Sequence, residues 1–181
     1  MLAVASLVLS ACGAEAQAPA APPPDLLEGM EAAAPTQLEI ADLADDAADP
    51  QPLAALLEDA GFEAAVERSF SGGAAEIRRV DVWIVRFSTP DGADRYATWL
   101  GAHAGDVIGG AELLGSMAEP PGASILLHEP SGCCPKETNV VLTTWQEGSV
   151  AIRVVVAGPG ASKATATPVA VAVYRWREQV R

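Results

Sequence analysis

The sequence predicts an α+β fold, a two-layer sandwich in which an antiparallel sheet carries its helices largely on one face. Three observations lead there. Three segments open on a capping residue followed by proline, which starts a helix where the missing N–H costs nothing. Five further segments have strand length and are rich in Val, Ile, Thr and aromatic residues. The connections inside the strand groups are short, "SGG" and its continuation in one case and Glu147-Gly148 in another, and short connections imply antiparallel hairpins. The order αββα followed by βββα then gathers the helices against one sheet. With 181 residues, half of them hydrophobic, the chain can bury one ordinary core, and a single domain over residues 36–181 is expected.

The chain opens "MLAVASLVLSACG", an apolar run shorter than the roughly 20 residues that span a bilayer. It reads as a signal peptide over residues 1–11. Its last residues, Leu9-Ser10-Ala11-Cys12, resemble the lipobox of bacterial lipoproteins, with the positively charged leading region of that pattern missing. The resemblance implies cleavage before Cys12, a diacylglyceryl thioether on its sulfur, and a protein held on the outer face of the cell membrane. Residues 12–35, rich in Ala and Pro and carrying acids without bases, read as a disordered tether. Its 23 or so residues would reach roughly 70 Å if extended and average nearer 25 Å as a coil. "DLLEGM" within it could form a helical turn, with nothing evident to pack against.

In the body, "DPQPLAALLEDAGF" starts a helix at Asp49 and Pro50, stacks Leu53, Leu56, Leu57 and Ala60, and stops at Gly61. Strands are expected over residues 63–71 and 77–88. "TPDGADRYATWLGAHAG" follows as a helix from Thr89 and Pro90 to Gly105, with Ala93, Tyr96, Ala97 and Leu100 on one face. Residues 106–122 carry no clear period beyond a candidate strand in "VIGGAELL". Strands over 123–129, 139–146 and 149–157 come next, and a last helix is expected from Thr167 and Pro168, stacking Val169, Val173, Trp176 and Val180.

The net charge of −13 is concentrated at the front of the chain. No Lys or Arg precedes Arg68, residues 1–67 hold 13 of the 24 acids, and the remaining 11 acids face 11 bases in residues 68–181. An acidic leading segment is repelled by phosphates and anionic headgroups, so neither nucleic acid nor direct adsorption to a lipid surface is expected.

Chemistry-bearing residues are few. No "GxSxG" elbow is present, and "GPGASK" lacks phosphate-loop spacing. No cofactor motif is read. Acidic pairs such as Asp45-Asp46 look solvated, and His103 suits the carbonyl end of its helix. What stands out is "HEPSGCCPKET", residues 128–138, which holds Cys133 and Cys134 side by side. Once lipidation consumes Cys12, each of this pair has only the other as an intramolecular partner in an oxidising compartment. A vicinal disulfide closes a strained eight-membered ring, and the Gly132 and Pro135 turn lowers the cost of its backbone angles. Such a ring would stiffen a loop at the rim of a binding surface. An alternative joins His128 to the two thiolates as a soft-metal site, against which stands the absence of residues between the cysteines. "HEPSGCCPKET" and its neighbours also resemble uncharacterised lipoproteins of actinobacteria, which implies an address and no activity. Two classes of function follow: an extracytoplasmic, non-enzymatic module that binds a protein, a small molecule or cell-wall material, and a thiol-redox or metal-binding protein built on the cysteine pair.

Overall fold

The computed structural model describes residues 18–73, 76–128 and 138–181. Its elements in chain order are β1 (Met30–Ala32), β2 (Thr36–Leu38), α1 (Ile40–Ala44), α2 (Pro50–Asp59), β3 (Phe62–Gly72), β4 (Arg79–Phe87), α3 (Pro90–Ala102), α4 (Ala104–Ile108), β5 (Glu112–Ser116), β6 (Ser124–His128), β7 (Asn139–Glu147), β8 (Val150–Gly158) and α5 (Lys163–Val180). The strands form one antiparallel sheet in the order β1-β3-β4-β8-β7-β6-β5, with β2 pairing the same edge of β3 as β1. The α+β sandwich expected from the sequence is the fold.

Strand parity divides the core. Phe70, Val80, Val82, Ile84, Ile152 and Val154 point to one face, where α5 packs Ala166, Val169, Val173 and Trp176 against them. Trp83, Val85, Phe87, Leu142 and Val155 point to the other, under Leu43, Leu53, Leu57, Tyr96 and Leu100 of the first three helices and Ala104 of α4. Four of the five described helices therefore share one face, and α5 adds a layer on the opposite one. The cause lies in β4 and β8, which are buried at nearly every position and so need cover on both sides.

Local signals set most element ends. Asp49 accepts from the Gln51 N–H at the start of α2, and Thr89 accepts from the Gly92 N–H at the start of α3. α3 stops at Ala102, short of the expected Gly105; the chain breaks at His103 and resumes as α4, which ends where Gly109 and Gly110 take positive φ. α5 begins at Lys163, ahead of the expected Thr167. Ser162 and Thr165 cap it reciprocally, the Ser162 N–H donating to Thr165 Oγ1 at 2.9 Å, and Pro168 lies within the helix.

The larger correction concerns the front. Residues 26–32 pack on the body: Leu27 is buried with Phe70 and Val80, Leu26 and Met30 lie against the same cluster, and β1 pairs Met30 with Gly72. Upstream, the Pro22 carbonyl accepts from Arg68 Nη1. The packed chain thus starts well before residue 36, and the stretch read as an unpacked tether contributes a strand and a core leucine.

Candidate functional site

Cys12, Cys133 and Cys134 lie outside the described residues. His128, the last residue of β6, is half-buried and its Nδ1 lies 2.7 Å from the Gly110 carbonyl oxygen. A carbonyl can only accept, so Nδ1 carries the proton and Nε2 is left as the basic nitrogen. His103 stacks on Trp99, ring centroids 4.6 Å apart, with Nδ1 against the Trp99 carbonyl, the helix-end role expected of it. Among the described residues no three His, Cys, Asp or Glu side chains converge as a metal site.

Among the described residues stands a polar constellation that sequence patterning missed. It lies on the helical face, over the middle of β3, β4 and β8 beside the end of α1. Cross-strand register places Glu67 opposite Trp83 and Trp83 opposite Arg153, while Ser69 faces Asp81. All of these side chains share one face by parity. The Arg153 guanidinium lies 4.1 Å above the Trp83 ring and donates through Nη1 to Asp46, just past α1, at 2.6 Å. Arg79 donates through Nε to the buried Asp81 at 2.7 Å. Asp46 is therefore one half of an ion pair with a buried arginine, a role its place in an acidic run does not suggest.

Glu67 is the exception within this group. Two carboxylates have guanidinium partners, whereas Glu67 has the Ser69 hydroxyl at 3.4 Å. Burial, and next the nearby Asp81 charge, raise its pKa above the usual carboxylate value, with Arg79 opposing. Behind the Asp46–Arg153 pair lies the hydroxyl of Tyr96, fully buried, its pKa raised chiefly by that burial. Tyr96 Oη and Arg153 Nε have no hydrogen-bond partner among the described residues. Chemically the corner can hold a proton on Glu67 or pair that carboxylate with a cationic group. Among the described residues, none of the groups converging there is a histidine or lysine. The signal available in the sequence was a set of charges at strand positions, Glu67, Asp81 and Arg153, where a two-sided strand should be apolar.

Among the grooves of the described residues, two adjoin the front segment. One, of about 800 Å³, is lined by Ala18, Leu38, Ile40, Phe62 and Ala64 where β3 begins. The other, of about 370 Å³, runs between the front segment and α5, lined by Leu26, Leu27, Met30, Ile77 and Val169. The second is largely aliphatic.

No protein-family model and no curated protein matches the sequence. Among solved structures the chain is similar to the extracellular domain of PknH from Mycobacterium tuberculosis, with a TM-score of 0.58 and 13% identity over 84% of this chain and 86% of that one. At that identity the likeness establishes a shared fold, spanning nearly the whole of both chains.

Proposed function

We propose that the protein is a lipid-anchored, extracytoplasmic and non-enzymatic binding module, tethered through Cys12 to the outer face of the cell membrane. The observation that carries this reading is the fold it shares with an extracellular domain over 84% of its length, taken with the Leu9-Ser10-Ala11-Cys12 pattern. No described helix is long and apolar enough to cross a membrane; in this reading the lipid on Cys12 provides the attachment. The ligand is an extracytoplasmic protein, a small molecule or cell-wall material. Expression in a lipoprotein-processing host tests the anchor. The wild-type chain should partition with membranes after a high-salt wash and carry a diacylglyceryl mass, and Cys12→Ser should do neither. Retention of the variant on membranes without lipid would refute the reading.

A second reading, thiol-redox or soft-metal chemistry, is favoured by one observation. The Nδ1–H of His128 donates to the Gly110 carbonyl, so Nε2 is the ring nitrogen available for a ligand, at the end of the strand that leads into residues 129–137, which contain Cys133 and Cys134. Intact mass with alkylation, before and after reduction, separates the two. Under the binding-module reading the cysteines form a vicinal disulfide and alkylate only after reduction. Ready alkylation of both in the native monomer, with zinc or copper(I) retained by the wild type and lost in the Cys133→Ser, Cys134→Ser chain, moves the assignment to metal chemistry.

A further inference from the structure

The anchor reading, joined to the packing of the front segment, orients the body on the membrane, and this inference rests on that reading. Ala18 already borders the body, lining one groove with Leu38, Ile40, Phe62 and Ala64 at the start of β3. From there the chain runs along β3: the Pro22 carbonyl meets Arg68, Leu27 meets Phe70, and Met30 pairs with Gly72 at the far end. Only residues 13–17 separate Cys12 from Ala18. Six Cα–Cα steps at full extension reach about 20 Å at most. The ten steps of β3 from Phe62 to Gly72 carry the other end of the sheet roughly 33 Å farther along the strand.

We propose that the end of the sheet holding Ala18, Leu38–Ile40 and Phe62 is the membrane-proximal face, apposed to the bilayer surface, and that the opposite end faces outward. At that opposite end lie His128, Asn139 and Gly158, and hence both ends of the segment containing Cys133 and Cys134, together with Arg79 and the residues that lead into β4. The bilayer is the occupant the geometry selects for the near face because the chain length leaves no room for a domain between them. Charge sets how the surfaces meet. Exposed Glu39, Asp42 and Glu63 stand at the near end with Arg86 pairing Glu63, and Glu147 at the same end pairs with Arg177 and Arg181, so this face presents mixed, largely paired charge and no basic patch to draw it onto an anionic bilayer; the tether holds the body close. A fully disordered tether would instead let the body tumble, with no preferred end toward the lipid.

The test uses the full lipidated chain on vesicles of phosphatidylcholine and phosphatidylglycerol doped with an energy-transfer acceptor lipid of short Förster distance. A dye is placed through a genetically encoded azide at Gln37, at the near end, or at Arg78, at the far end. Transfer should be strong from position 37 and at least fivefold weaker from position 78. A Gly/Ser insertion of about 20 residues between Gln17 and Ala18 should abolish that difference by lengthening the tether. Equal transfer from both positions in the uninserted chain, or stronger transfer from position 78, overturns the orientation while leaving the anchor intact. A chain that carries no lipid by mass and floats free of the vesicles overturns the anchor reading, and the orientation with it.

Discussion

Glu67 shows how one side chain couples to the charge around it. Its pKa is raised in the folded protein, chiefly by burial, from an ordinary value of 4.5. The folded state therefore binds this proton more tightly than the unfolded chain does. The contribution is fully present below the unfolded pKa and is lost as pH rises through the folded one. Glu67→Gln, which mimics the protonated form, should be more stable than wild type at pH 7, and the advantage should shrink as pH falls toward the unfolded value. Urea unfolding at pH 7 and pH 5 checks this; a difference that stays constant or grows on acidification would contradict it. The role of Glu67 was not legible in the sequence, because its burial and the neighbouring Asp81 and Arg79 are set by strand pairing, and Asp46 is brought near by the end of α1. Helix caps were legible at Asp49 and Thr89, since a cap is satisfied by an N–H two or three residues away.

At the scale of elements, contact distance overrides propensity. Gly92 sits in the first turn of α3, where alanine would ordinarily favour the helix by about 1 kcal/mol. A Cβ there would overlap the Ala60 carbonyl at the end of α2 and crowd Phe87. The expected sign is therefore reversed: Gly92→Ala should lower stability by about 1–3 kcal/mol through forced separation of α2 and α3. Thermal unfolding reads this directly, and a stabilised variant would mean the helices part freely. The front segment obeys the same logic. Removing residues up to Pro35 deletes β1 and the buried Leu27, a loss of at least about 2–3 kcal/mol by comparison with single Leu→Ala truncations in cores. A truncated chain that unfolds at the same denaturant midpoint as the mature one would show that this packing contributes nothing. Three-residue strands such as β1 and β2 carry no readable period, and an Ala- and Pro-rich context pointed toward disorder. What recruits them is the free edge of β3, a partner 27 to 42 residues away in sequence.

For the whole molecule, the layer formed by α5 is held to the sheet by its apolar face and, at its C-terminal end, by one carboxylate. Glu147 at the end of β7 is almost completely buried, accepts from Trp145 Nε1 at 2.9 Å, and pairs with Arg177 and Arg181 of the last turn and terminus. Glu147→Ala would leave Arg177 buried without its partner, at a cost of about 3 kcal/mol. Hydrogen exchange should then accelerate selectively in the C-terminal half of α5, while amides of β4 and β8 exchange by global opening. Uniform acceleration across the sheet would indicate that Glu147 does not act through α5.

By itself the sequence determined the fold class, the positions of α2 and α3, the approximate extents of β3, β4, β6, β7 and β8, and the uneven distribution of charge, because each of these is written in spacings and caps that act within a few residues. It also carried, unread, the predominantly apolar runs of β4 and β8, broken chiefly by Asp81, Arg86 and Arg153, that demand a helix on each face. Tertiary structure alone decided that residues 26–32 join the sheet, that Asp46 pairs with Arg153 across 107 positions, and that Glu67 is left short of a cation. Those outcomes depend on which groups the sheet's register and the helices' docking bring within hydrogen-bond reach, and a separation of that size in the chain leaves no periodic trace.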